Sequence, residues 1–181
     1  MRACSALSLV MLATLATLAA LAVAPARARA DLDGDVFTSP DDHLRLDVPR
    51  GWRVSDRSGY PHVLLTLSRS KPRARLQITV DAIVPGCRTV PDAVFCSAEP
   101  TAALARLRDG LEPLGARITA QLEGRSPELE YQAGRRFVRH ALVVIDDRVI
   151  SVILSTDRAD DRTALRRTFD RLVQSVRPVA R

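Results

Sequence analysis

Hydrophobic positions along this chain follow two spacings, and the switches between them mark out its elements. Over residues 43–48 (HLRLDV) apolar and polar side chains alternate, the period of a strand with one buried face. Residues 52–54 resume as a short strand headed by Trp52. Residues 62–68 (HVLLTLS) and 74–84 (ARLQITVDAIV) predict a third and a fourth strand. Pro49-Arg50-Gly51 and the Lys71-Pro72 stretch supply turns between them. Further on, Ile118, Ala120 and Leu122 alternate over residues 117–123, and Leu129 and Tyr131 begin a strand that ends near Gly134. Residues 136–145 and 148–155 are the strongest strands, joined by Asp146-Asp147 as a tight hairpin loop.

Steps of three and four occur twice. Leu104, Leu107, Leu111 and Leu114 follow Pro100, a residue suited to the first helical position. Gly110 weakens this helix, and Pro113 ends or kinks it so that Leu114 falls at its limit. Leu165, Phe169, Leu172, Val173 and Val176 form a second amphipathic helix, with acidic caps in residues 157–161 and a stop at Pro178. Residues 31–42 read as a polar, acidic tail that turns at Ser39-Pro40-Asp41-Asp42.

Several antiparallel strands with one mid-chain and one C-terminal helix define an α+β chain. Each helix has a single apolar stripe and must lie on a sheet. Residues 74–84 and 136–155 are apolar on both faces in places, so both faces need cover. The expectation is an α/β/α sandwich around a central antiparallel sheet of about seven strands. No repeat or linker divides residues 31–181, which read as one domain.

The first thirty residues change the picture of where this domain works. Arg2 precedes an apolar run over residues 6–23, and Ala28-Arg29-Ala30 ends in small residues. That order predicts a secretory signal peptide, cut after Ala26, Ala28 or Ala30, and a periplasmic or secreted protein. An uncleaved anchor is the competing reading. The run is 18 residues long, just under a bilayer's span, and Ser8, Thr14 and Thr17 dilute it. Loss of Arg2, Arg27 and Arg29 with the leader lowers the formal charge from +6 to +3. The remaining charges are interspersed in sign, which is no nucleic-acid footprint. Aromatic residues make up 4% of the chain and are scattered, so no stacking platform for bases or sugars is visible.

Cys87 and Cys96 are the cysteines beyond the leader, an even count that suggests a disulfide in an exported chain. Such a bridge would stabilise the fold by roughly 2.5–3 kcal/mol through loop closure. A redox pair would favour Cys-x-x-Cys spacing, and a zinc site would need further ligands nearby.

Other candidate chemistry is sparse. Asp31, Asp33, Asp35 and Asp42 are spaced like calcium-loop ligands, but the sixth position is Val36 where that loop needs glycine, which favours a solvated acidic tail. His43, His62 and His140 all fall in predicted strands and share no motif, so isolated positions on a sheet surface or edge are expected. Ser58, Ser68, Ser126, Ser151 and Ser155 are candidate nucleophiles, yet no serine lies in a Gly-x-Ser-x-Gly turn. No motif calls for a metal or a cofactor. Arg69, Lys71, Arg73 and Arg75 form the densest basic stretch. They suit docking on a protein partner, on anionic lipid heads or on cell-wall polymer, or simply guard a hairpin against edge pairing.

Phe37, Ser39-Pro40, the strand at 44–48 and Pro49-Arg50-Gly51-Trp52 resemble the opening of PsbP-like and DcrB-like proteins. The ending, a long hairpin at 136–155 followed by a helix carrying Phe169, is similar too. The resemblance implies an α/β/α sandwich in an exported or lumenal protein, usually an accessory or binding factor and not an enzyme. It brings no catalytic residues, and the Cys87 and Cys96 segment is not part of its pattern. The expected function is therefore a non-enzymatic envelope protein that binds a protein or lipid partner through the loops around Arg69–Arg75 and Cys87–Cys96, touching membranes at the surface only. The alternative is a secreted hydrolase whose Ser–His–Asp site is assembled from strand ends.

Overall fold

The computed structural model describes residues 31–55, 62–84 and 95–179. Its elements run β1 (Asp31–Asp33), β2 (Val36–Ser39), β3 (Leu44–Asp47), β4 (Arg53–Ser55), β5 (Val63–Ser70), β6 (Arg73–Ala82), α1 (Pro100–Leu111), β7 (Arg117–Leu122), β8 (Glu128–Ala133), β9 (Arg136–Ile145), β10 (Arg148–Thr156), α2 (Ala159–Ala164), α3 (Arg166–Ser175) and β11 (Arg177–Pro178). Residues 1–30, expected from the sequence to be a signal peptide, and Cys87 lie outside the described residues. No helix among the described residues is long and apolar enough to cross a membrane.

The strands that are apolar on both faces take the middle of a seven-stranded antiparallel sheet, ordered β4-β5-β6-β10-β9-β8-β7. On one face Leu76, Ile78, Ala141, Ile150, Val152 and Leu154 pack against Phe169, Leu172 and Val173 of α3. On the other, Leu129, Val138, Leu142 and Val149 pack against Phe95 and against Ala103 and Leu104 of α1. The expected sandwich with a seven-stranded core sheet is thus the observed one.

One face also carries a second sheet, ordered β1-β2-β3-β11, which the hydrophobic pattern did not foretell. The supposed acidic tail is a hairpin. Gly34, at φ 58°, begins the two-residue turn between Asp33 and Val36, and Phe37 pairs with Leu46 in register. Both side chains are fully buried against the large sheet, and that burial holds the acidic segment in place. The strand expected at 43–48 belongs to this small sheet.

The mid-chain helix begins as expected, with Pro100 first. Glu99 caps it, its carboxylate accepting from the backbone N–H groups of Thr101 and Ala102 at 3.0 and 2.6 Å. Those two bonds hold the Glu99 carboxyl below the usual range. Pro113 sits in a single 3-10 turn beyond the helix, and Leu114 is left 82% exposed. The C-terminal helix is broken in two. Leu165 leaves helical geometry between α2 and α3 and buries its side chain in the core.

α2 and α3 are tied to the sheet by charge. The Arg139 side chain on β9 is 3% exposed. Its Nε lies 2.6 Å from Glu128 and 3.9 Å from Glu130 on β8, and Nη2 reaches Asp170 of α3 at 2.9 Å. The guanidinium also stacks 4.9 Å above the Phe169 ring. Arg162 of α2 completes the group with Glu130 at 3.0 Å. Burial pushes the Glu128 carboxyl above its ordinary value, and Arg139 pulls against that shift.

Replacing Arg139 with alanine leaves three carboxylates without their shared cation. The unfolding free energy in urea is expected to fall by about 3–5 kcal/mol. Arg166→Ala, on the exposed side of α3, is expected to change it by less than about 0.5 kcal/mol.

Candidate functional site

The Pro-Arg-Gly-Trp turn explains itself locally. Trp52 N–H donates to Pro49 O at 3.3 Å, and Gly51 takes φ 78° at the third position, where a type II turn favours glycine. Trp52 then drops into the core while Arg50 stays at the surface, 3.8 Å from Asp35. β5 alternates so that Leu65 and Leu67 enter the same core, which turns Arg69, paired with Ala74, toward that face. α3 buries Phe169, Leu172 and Val173, leaving Arg171 exposed beside the seam.

Turn, strand end and helix enclose a cleft of about 530 Å³. Val48, Pro49 and Leu172 give it an apolar wall; Arg50, Arg69 and Arg171 give it a cationic one, with Thr168 and Asp47 completing the lining. Arg69 Nε donates to Lys71 O at 2.8 Å, and Arg171 Nε donates to Arg167 O at 3.3 Å. Neither guanidinium is ion-paired among the described residues. Asp47 is the single carboxylate lining the cleft, and Arg177 lies 3.5 Å from it.

Of the basic residues singled out from sequence, only Arg69 faces this cleft. Arg73 and Arg75 lie on the opposite face of the sheet, and Lys71 is exposed at the hairpin tip, where the Lys71–Pro72 peptide is cis. Arg73 is 3.7 Å from Asp157, which also holds Arg136 at 2.7 Å. Arg75 is exposed and in register with Ser68, which pairs in turn with Arg53. The hairpin end is therefore cationic on both faces. Arg50 and Arg171 were not picked out beforehand. The turn motif pointed to the first, and the polar side of the second helix to the other.

The histidines are not arranged as expected. His43, at φ 51°, sits in the turn before β3, and His62 precedes β5; only His140 is in a strand. His140 is buried under α1 with neither ring nitrogen hydrogen-bonded among the described residues, its ring 6.4 Å from that of Tyr131. It is not a surface histidine, because β9 turns its even positions into the second core. Burial pulls its pKa down to about 4 and pushes Tyr131 up to about 12. His62 Nδ1 lies 3.6 Å from Asp81, whose carboxyl burial raises while His62 opposes the rise. Among the described residues no histidine is hydrogen-bonded to a serine or cysteine.

Asp42 is taken by Ser39 Oγ and Arg148 Nη1, each at 2.6 Å, and Asp35 faces Arg50. Among the described residues no three potential ligands gather for a metal ion. Ser58 is outside the described residues. Ser151 is buried, and Ser68, Ser126 and Ser155 are half-buried along the sheet and its loops. The Cys96 sulfur is engaged and does not titrate.

No protein-family model and no curated protein matches the chain. Solved structures do. The solution structure of cyanobacterial PsbP (CyanoP) from Synechocystis sp. PCC 6803 superposes with a TM-score of 0.56 at 19% identity, over 79% of this chain and 91% of that one. The Ran-binding protein Mog1p of Saccharomyces cerevisiae gives a TM-score of 0.51 at 9% identity, over 82% of this chain and 97% of that one. The PsbP-like architecture anticipated from both ends of the sequence is the fold found.

Two outcomes follow from the local geometry. Gly51→Ala forces an alanine into the left-handed region and is expected to lower stability by about 1–2 kcal/mol in thermal unfolding. His140 carries a folded pKa below its unfolded one, so the unfolded chain binds the extra proton. The stability due to its neutral form is complete above pH 6.5 and falls as pH drops toward 4, by at most about 1.4 kcal/mol per pH unit. His140→Leu is expected to remove that part of the slope in denaturation measured between pH 7 and pH 4.

Proposed function

We propose that this chain is an exported envelope protein acting as a non-enzymatic accessory factor, which binds a protein partner through the cationic end of the β5–β6 hairpin. The observation that carries the reading is Lys71, Arg75 and Arg69 crowded at one hairpin end without carboxylate partners among the described residues. Interspersed charge elsewhere makes this end distinctive. An acidic protein surface is its natural complement, since guanidinium groups pair with carboxylates through two parallel hydrogen bonds.

In this reading residues 1–30 direct export and are removed, residues 31–181 work as one domain in the periplasm or outside the cell, and Cys87 pairs with Cys96. The fold, shared with PsbP and Mog1p at low identity, is compatible with an accessory role. The engaged Cys96 sulfur supports the bridge.

Intact mass of the protein recovered from the envelope is expected to begin after Ala26, Ala28 or Ala30 and to gain two hydrogens on reduction. A full-length mass with free thiols overturns the export reading. Retention of envelope proteins on the tagged chain is expected at low salt and to fade as salt rises. Lys71→Glu with Arg75→Glu is expected to cut it at least about tenfold, the loss of roughly 1.4 kcal/mol. Undiminished retention by this double variant overturns the docking assignment. Capture of anionic vesicles in place of protein does so too.

A further inference from the structure

We propose that the cleft between the Pro49–Trp52 turn and α3 is a peptide site, taking a short acidic segment of the partner with an apolar side chain among its carboxylates. This rests on the accessory reading above and specifies what that partner presents.

Three properties of the cleft select this occupant. Its cations come from separate elements: Arg50 from the turn, Arg69 from the end of β5 and Arg171 from α3. Arg69 and Arg171 each spend Nε on a backbone carbonyl, which orients the guanidinium, and among the described residues no carboxylate engages the Nη pair. Asp47 cannot neutralise them fully, because Arg177 already approaches it.

Size and lining narrow the choice. At about 530 Å³ the cleft exceeds the needs of one inorganic anion and falls in the range of sites that bury an organic ligand. Half-buried Pro49, backed by buried Val48 and Leu172, offers an apolar contact beside the cations, which a bare anion would leave unused. A bilayer is a poor fit. Surfaces that sit on membranes combine basic residues with protruding apolar ones. The exposed large apolar side chains among the described residues are Leu32, Val54, Val84, Leu114 and Leu122, and none lines the cleft. Phe169 and Trp52, the aromatics nearest in sequence to its lining, are both buried, so neither is a platform for a nucleic-acid base.

The test uses the exported form of the chain and a fluorescein-labelled hexapeptide of alternating glutamate and leucine, read by fluorescence anisotropy. Saturable binding is expected, weakening with salt. Arg69→Gln or Arg171→Gln is expected to weaken it at least about tenfold, equivalent to roughly 1.4 kcal/mol. Arg171→Lys is expected to fall between, since it keeps the charge and loses the fork. Circular dichroism of each variant shows whether it is folded; Arg50→Gln, on an exposed turn, replaces any that is not. Equal binding of a glutamine–leucine control peptide overturns the inference. So does co-sedimentation with vesicles of equal phosphatidylglycerol and phosphatidylcholine that these same substitutions abolish. If the cleft variants bind peptide like the parent while Lys71→Glu with Arg75→Glu still loses the envelope partner, the cleft assignment fails and the accessory reading stands. If both sets bind like the parent, both fail.

Discussion

β6, β10 and β9 carry apolar side chains on both faces, and a sheet with two such faces can meet water on neither. Most of the architecture answers that requirement. α1 and Phe95 cover one face, while α3 and the four-stranded sheet cover the other. Phe37, Leu44, Leu46, Phe169 and Leu172 are each about 1% exposed or less. At roughly 1.5–3 kcal/mol for each fully buried large side chain, this second layer outweighs the modest propensities of the short strands that compose it. β1, β2 and β11 are two to four residues long and depend on the layer beneath them.

Covering both faces creates two different problems for neighbouring residues of β9. Arg139 and His140 are adjacent, so their side chains go to opposite faces. Arg139 cannot shed its charge and is met by Glu128, Glu130 and Asp170. His140 can shed its charge, and burial favours its neutral form in a core that offers its nitrogens no partner among the described residues. The first solution fixes where α3 lies along the sheet. That placement sets Arg171 opposite the Pro49–Trp52 turn and so defines one wall of the cleft.

The large sheet was legible because period-two alternation is strong in residues 62–84 and 136–155, and because burial on both faces shows as unbroken apolar runs. The small sheet was hidden. β1 and β2 hold only Leu32, Val36 and Phe37 among acids and hydroxyls, too few positions for a period to emerge, and Phe37 is placed by a contact distant in sequence. The break at Leu165 left no mark either, since its apolar stripe continues in helical phase across the interruption. His140 looked like a surface residue because alternation tells which residues share a face, not whether a helix will cover that face. Arg69 was found by local charge density. Its association with Arg50 and Arg171 depends on packing between elements separated by about a hundred residues, which no local pattern encodes.

The arginines of this protein divide by what would follow from losing them. Arg139 and Arg148 are joined to Glu128 and Asp42, carboxylates only 12% and 23% exposed, so losing either arginine would strand a mostly buried charge. Arg50, Arg69 and Arg171 stand at a seam where each side chain could be shortened without stranding a buried charge. The fold does not require them, yet packing draws three like charges around one cleft, an arrangement that self-repulsion disfavours. A negative ligand relieves that repulsion, and half-buried Pro49, backed by Val48 and Leu172, gives it an apolar contact. The same core that demands cover on both faces thereby holds a cationic cleft open at its edge.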